Sequence, residues 1–230
     1  MIIHGLQKMT LVDYPGKVAA ILFTGSCNFR CPFCQNASLV MNPQSEPEIP
    51  EDEIFGYLEK RRKMLEGVVI TGGEPTVHSD LLSYMARIKD LGFSVKLDTN
   101  GYRPDVLKRA VEGGYADYVA MDIKNSFKRY AETAGVSHLF IDLIKESISF
   151  LMEGKVPYEF RTTVVHELHS DEDFEEIGET LAGCQSYYLQ TYSERGDIIN
   201  PIFTPPSIDD MERYIKILRK TIKNVSLRDR

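Results

Sequence analysis

Residues 17–36 read KVAAILFTGSCNFRCPFCQN. Lys17 to Phe23 is an apolar run of strand length, with Pro15-Gly16 punctuating its start and Gly25 its end. The stretch from Thr24 to Asn36 holds three of the four cysteines of the chain, spaced C-x3-C-x2-C as Cys27, Cys31 and Cys34. The cysteine loop therefore hangs from the C-terminal end of a strand, where α/β folds gather their ligands. Thiolates are soft donors suited to zinc, copper(I) or iron–sulfur clusters. Structural zinc and ferredoxin clusters want four protein ligands, and only three are local here. Such a site either borrows a distant residue or keeps one metal position open for chemistry.

Outward from this loop, the chain alternates strand and helix. Further strands are expected at Gly67–Thr71, Phe93–Leu97, Tyr118–Met121, Tyr158–Val165 and Ser186–Thr191. Helices are expected from Pro50 to about Leu65, Ser79–Asp90, Pro104–Glu112, Ser137–Met152, Asp171–Ala182 and Pro206–Lys223. Six β-then-α units with short connections argue for a parallel sheet with right-handed crossovers. A full eight-unit barrel needs about 250 residues. The expected fold is thus α/β, a partial (βα)6 open barrel of parallel strands; a flat doubly wound sheet is the alternative. One domain is expected over residues 1–230: an N-terminal strap at 1–16, a barrel core at 17–193, and a C-terminal loop and helix at 194–230.

The net charge of −7 argues against generic nucleic-acid binding. No apolar run approaches the length of a membrane span, and the N-terminus lacks a signal-peptide pattern. Three clustered thiols plus a lone Cys184 do not make a secreted disulfide framework, so a reducing cytoplasm is the expected compartment. Cys184 reads as a packing residue.

Polar motifs fall at the other strand ends: Gly72-Gly73-Glu74-Pro75, Asp98-Thr99-Asn100-Gly101, Asp122-Ile123-Lys124, and Arg161 within the fifth strand. Taken singly, GGEP reads as a tight turn, DTNG as an Asn-Gly turn and DIK as a solvated charge pair. Together they describe a ligand shell. Glycines let backbone approach a small ligand, acids accept from an ammonium or a ribose hydroxyl, and Lys124 can meet a carboxylate. A ligand with an amino-acid end, a ribose and a sulfonium would use all of them. His166 and His169 read as a polar loop near the site mouth, with metal binding as the sharper alternative. The run RKTIKNVSLRDR at 219–230 reads as a solvated helix end, with partner docking as its alternative.

With these motifs in this order, the chain resembles the radical S-adenosylmethionine (SAM) enzymes, and among them the activating enzymes of glycyl radical enzymes. The C-x3-C-x2-C loop with Phe33 before its last cysteine, and Asn36 after it, match the superfamily pattern. Val12-Asp13-Tyr14-Pro15-Gly16-Lys17 is similar to an activase segment of VDGPGIR type, with Tyr14 and Lys17 as departures. The resemblance covers roughly residues 10 to 193 and is greatest to anaerobic ribonucleoside-triphosphate reductase activating proteins.

That resemblance implies that Cys27, Cys31 and Cys34 hold three irons of a [4Fe–4S] cluster whose fourth iron takes the amino and carboxylate groups of SAM. Reductive cleavage of SAM would give methionine and a 5′-deoxyadenosyl radical. It further implies that Gly72, Gly73 and Glu74 bind the methionyl end. Asp98, Thr99 and Asp122 would shape a monovalent cation site, with Lys124 close by, and Arg161 would meet the methionyl carboxylate. The family's adenine-contacting histidine has no counterpart, since Ser193 stands at about that position. The implied partners are a glycyl radical enzyme, foremost anaerobic ribonucleotide reductase, and a flavodoxin or ferredoxin as electron donor. Alternatives are activation of another glycyl radical enzyme of pyruvate formate-lyase type, chemistry on a small molecule bound with residues 195–206, or a non-catalytic zinc or electron-carrier protein.

Overall fold

A computed structural model of the protein describes residues 1–194 and 196–228. Arg195, inside the segment expected to bind a small molecule, and Asp229 and Arg230 of the terminal basic run lie outside the described residues. Eight strands follow one another in the sheet in chain order, with the first and last at its ends. They are β1 (Ile3–Thr10), β2 (Ala19–Thr24), β3 (Gly67–Gly72), β4 (Ser94–Thr99), β5 (Tyr118–Asp122), β6 (Tyr158–Val164), β7 (Tyr187–Thr191) and β8 (Val225–Leu227). The helices are α1 (Ala37–Met41), α2 (Glu51–Arg61), α3 (Leu81–Asp90), α4 (Pro104–Glu112), α5 (Tyr130–Ala134), α6 (Ile141–Met152), α7 (Asp171–Thr180) and α8 (Ile208–Leu218). The fold is a mostly parallel, open α/β sheet of the partial-barrel kind, and the six expected parallel strands are β2 to β7.

The chain divides into two compact units: Met1–Asn28, Ser38–Ala120 and Lys155–Pro157, and Phe29–Ala37, Met121–Gly154 and Tyr158–Arg230. In the first unit, β1 pairs antiparallel with β2, while β2–β3 and β3–β4 are parallel. Residues 3–10 of the segment expected as a strap thus form a strand. Buried Ala20, Leu22, Val68, Ile70, Val95 and Leu97 stack on neighbouring strands, the continuous apolar reading expected of parallel strands covered on both faces.

The departures Tyr14 and Lys17 explain each other. Tyr14 is 2% exposed and packs on Ala19, Ile21 and Val69. The Lys17 ammonium lies 5.9 Å from the centre of its ring. Gly67 makes room, since a Cβ there would sit 2.9 Å from ring carbons of Tyr14.

In the second unit, β6–β7 and β7–β8 are parallel. Here the helix-end reading of residues 219–230 is corrected. Helix α8 stops at Leu218, and the chain returns to add β8 beside β7. Arg228 then forks onto Glu159 at 2.6 and 2.9 Å and stacks 3.7 Å from the ring centre of Tyr188. Glu159 is fully buried on β6, so a bidentate cation is what its burial calls for. No helix among the described residues is long and apolar enough to cross a membrane.

Candidate functional site

In the first unit, three parallel strands deliver their C-terminal loops to one edge: β2 the start of the cysteine loop, β3 the GGEP turn, β4 the DTNG turn. The GGEP turn is built against the cysteine loop. Gly73 N donates to Thr24 O and Glu74 N to Ser26 O, both at 2.8 Å. Gly72 has φ +112°, and a Cβ on it would lie 2.4 Å from Thr24 N. A Cβ on Gly73 would lie 1.9 Å from Ser26 O. Both glycines are therefore required for backbone to meet backbone, a use beyond the ligand approach expected of them. His78 adds a pin, its Nε2 2.9 Å from Gly25 O.

Glu74 is 1% exposed. Its Oε1 accepts from Thr76 N at 3.1 Å, from the Thr76 hydroxyl and from Thr99 Oγ1 at 2.7 Å; its Oε2 accepts from Asn100 N at 2.7 Å. Burial raises its pKa, against the pull of those donors. The carboxylate thus ties the GGEP and DTNG turns together. Asn100, which sequence reading passed over as a turn residue, continues the chain of contacts: its Nδ2 donates to Asn28 Oδ1 at 2.7 Å and reaches Cys27 Sγ at 3.9 Å. An N–H aimed at a sulfur is a recognised means of tuning a thiolate ligand. The signal was the Asn of the DTNG motif itself. Asp98, on β4, is ion-paired with the fully buried Lys96.

In the second unit stand Cys31, Phe33, Cys34, Asn36, Asp122, Lys124 and Arg161. Asp122, at the end of β5, is gripped by Arg161 Nε at 2.9 Å and by Lys124 Nζ at 3.1 Å. Burial works against its charge, but the two cations prevail and hold its pKa well below the usual carboxylate range. Lys124 likewise stays charged despite burial, with Asp122 as its main support. Burial pushes the Cys31 thiol up to about 11, and the Lys124 ammonium opposes the rise. Burial also raises Cys34. Phe33 meets Tyr192 edge-on, ring centres 6.4 Å apart. Asn36 bridges to Asp197, and Ile199 N and Asn200 N donate to Cys34 O and Pro32 O. Ser193 O accepts from the Gln35 amide at 2.5 Å, so the residue at the missing histidine's place braces the cysteine loop. On the loop's other side, Arg30 N donates to Ala134 O at 2.9 Å. Gly135 (φ +66°) could carry no side chain there, because its Cβ would fall 2.0 Å from Arg30 O.

The polar-loop reading holds for His166, which is exposed, and is corrected for His169. His169 is 4% exposed, with Nδ1 at Val165 and Nε2 3.0 Å from Lys124 O. It supports the backbone behind Lys124 and is spent as a ligand. Cys184 is buried, as expected of a packing residue.

The donor set suits an iron–sulfur group by its chemistry: three thiols outside any disulfide, one facing an amide donor and one beside a cation. Among the described residues, no three His, Cys, Asp or Glu side chains stand together as a preformed metal cage. The fit lies in donor type.

Residues 21–181 match the model of the radical SAM superfamily, and the chain belongs to that superfamily and is an enzyme of its kind. More narrowly, it is 31% identical, over 99% of its length and 95% of the relative's, to a protein of Methanocaldococcus jannaschii provisionally named a glycyl-radical enzyme activating enzyme. The pyruvate formate-lyase-activating enzyme of Clostridium pasteurianum is 28% identical over 54% of this chain and 52% of its own. The structure of Streptococcus suis SuiB bound to S-adenosylmethionine shares the fold, with a TM-score of 0.68 and 16% identity over 90% of this chain. The chain spans about half of that structure, 51% of its length.

Proposed function

We propose that the chain is a glycyl-radical activase. Cys27, Cys31 and Cys34 would hold a [4Fe–4S] cluster, and Gly72, Gly73, Glu74, Thr99, Asp122, Lys124 and Arg161 are the candidate contacts to SAM, within a single functional domain. When bound, the cluster supplies the electron that cleaves the sulfonium of SAM. The observation that carries this reading is the full-length similarity to an archaeal activating enzyme, centred on a chain with three local thiols and a fourth buried elsewhere.

The chain's own residues position and neutralise. The paired turns around Glu74 set the loop that carries Cys27. The Asp122–Arg161–Lys124 cluster holds two cations in place at a partly exposed carboxylate, and a carboxylate-bearing ligand would compete for their remaining donors. Phe33 and Tyr192 supply an apolar wall beside Cys34. The substrate of this reading is a backbone glycine of a large partner, foremost anaerobic ribonucleotide reductase, with a pyruvate formate-lyase-type enzyme as the alternative. Flavodoxin or ferredoxin is the donor, and the cytoplasm the setting.

The test is anaerobic reconstitution with iron and sulfide, then reduction and addition of SAM with each candidate partner. A glycyl radical signal in electron paramagnetic resonance is expected with one partner. SAM cleavage without that signal, accelerated by a metabolite, would move the function to small-molecule chemistry. Cys31→Ala should lose the cluster; SAM cleavage surviving that change would refute the ligand assignment.

A further inference from the structure

The resemblance assigns Asp98, Thr99 and Asp122 to a monovalent cation. The side chains around the first two do not fit that assignment. Lys96 and Asp98 are two apart on β4, so both project from the same face of the strand. Their charged groups are in contact, with the Lys96 side chain 1% and the Asp98 side chain 10% exposed. An ammonium is not carried into such a place without an anion beside it, because the lost hydration must be replaced. Asp98 is that anion. Thr99 is partly engaged as well: its hydroxyl donates to Glu74 Oε1 at 2.7 Å and accepts from Gly101 N at 3.1 Å. Asp122, in the other unit, has its own cations in Arg161 and Lys124.

We propose that Lys96 is a built-in counter-cation: its ammonium occupies the place at Asp98 that a potassium or sodium ion would otherwise fill, so this chain needs no alkali cation there. An ammonium carries the charge of an alkali ion and donates hydrogen bonds where the ion would accept lone pairs. A second cation placed at Asp98 would lie about 4 Å from the Lys96 charge. At an effective dielectric near 20, that repulsion weakens binding roughly a thousandfold relative to a chain with a neutral residue at 96. Lys96 is thus a positioning residue, acting through Asp98 on the DTNG turn and on Glu74, to which Thr99 and Asn100 donate.

The inference deepens the SAM reading, since it concerns the carboxylate next to Thr99, a residue that reading assigns to the cosubstrate. Its test works whether or not the chain makes radicals. Wild-type protein is exchanged into tetramethylammonium chloride and titrated with thallium(I), followed by thallium NMR, both without cofactors and after loading with cluster and SAM. No saturable binding is expected, and the melting temperature should be the same in potassium, sodium and tetramethylammonium chlorides at equal ionic strength. Lys96→Met should create the site: one thallium(I) per chain, and a melting temperature that climbs saturably with potassium. Should Lys96→Met be unfolded in tetramethylammonium and fold on addition of potassium, the conclusion is the same. Lys96→Met with Asp98→Asn should fold and bind no thallium(I). Stoichiometric thallium(I) binding by the loaded wild type would overturn the proposal, as would a folded Lys96→Met chain indifferent to potassium.

Discussion

Replacing Gly73 by alanine tests whether the GGEP turn is a packing device as well as a ligand contact. The added Cβ would sit 1.9 Å from Ser26 O and 2.8 Å from Ser26 C. Real Cβ contacts stay above 3.0 Å, so the Ser26 carbonyl must retreat by at least 3.0 − 1.9 = 1.1 Å. The obstacle is backbone, which no rotamer change relieves. Two hydrogen bonds hold this seam, Gly73 N to Thr24 O and Glu74 N to Ser26 O, each 2.8 Å. A made bond contributes about 1 kcal/mol, and a buried donor left without its acceptor costs about 1–3 kcal/mol. Gly73→Ala should therefore lose about 2–6 kcal/mol. That is a large part of the roughly 5–15 kcal/mol by which a domain is stable. Urea denaturation of the cofactor-free chain reads the loss as a lower midpoint at unchanged slope, and iron per chain after reconstitution reads the displacement of Cys27. Gly56→Ala is the control. It lies within α2, nothing stands within 4 Å of its Cβ, and the exchange should stabilise by about 0.5–1 kcal/mol. A Gly73→Ala protein with a wild-type midpoint and a full complement of iron would refute the reasoning.

Glu74→Gln should cost about 1–3 kcal/mol, because either orientation of the amide sets its NH2 against a backbone donor, Thr76 N or Asn100 N, that cannot turn away; an unchanged urea midpoint would contradict this. Asp122 titrates in the folded chain below its unfolded value of about 3.9. Its contribution is therefore complete above about pH 5 and drains away as the pH falls below about 4. Comparing midpoints at neutral and acidic pH, Asp122→Asn should show a shallower acid loss than wild type. Arg228→Ala strips buried Glu159 of its bidentate partner and should cost about 3 kcal/mol, whereas the same change at exposed Lys223 should leave the midpoint alone. Cys184→Ala should retain wild-type iron and lose about 1 kcal/mol of stability; loss of iron would make it a ligand after all.

Much of this molecule is legible along the chain. The six parallel strands stand out because apolar runs such as GVVIT and KVAAILF are local patterns, and the loops at their ends are named by their own Gly, Pro and acidic residues. The radical SAM family follows from three cysteines and the motifs behind them. Helix α8 stops at Leu218, short of the expected Lys223, because the last turn competes with the return of β8, a pairing with no signal in residues 219–228.

What only tertiary structure decided is the company each polar residue keeps. Residues 1–16 look like a strap until β2 pairs with β1, and His169 looks like a mouth residue until its ring is seen bonded behind Lys124. Lys96 reads as one charged residue in a strand, and only its complete burial against Asp98 makes it a counter-cation. Local pattern determines where backbone becomes strand or helix, because hydrophobic period is set within a few residues. Burial, and with it the meaning of every charge, depends on neighbours brought from far along the chain, as Arg228 is to Glu159.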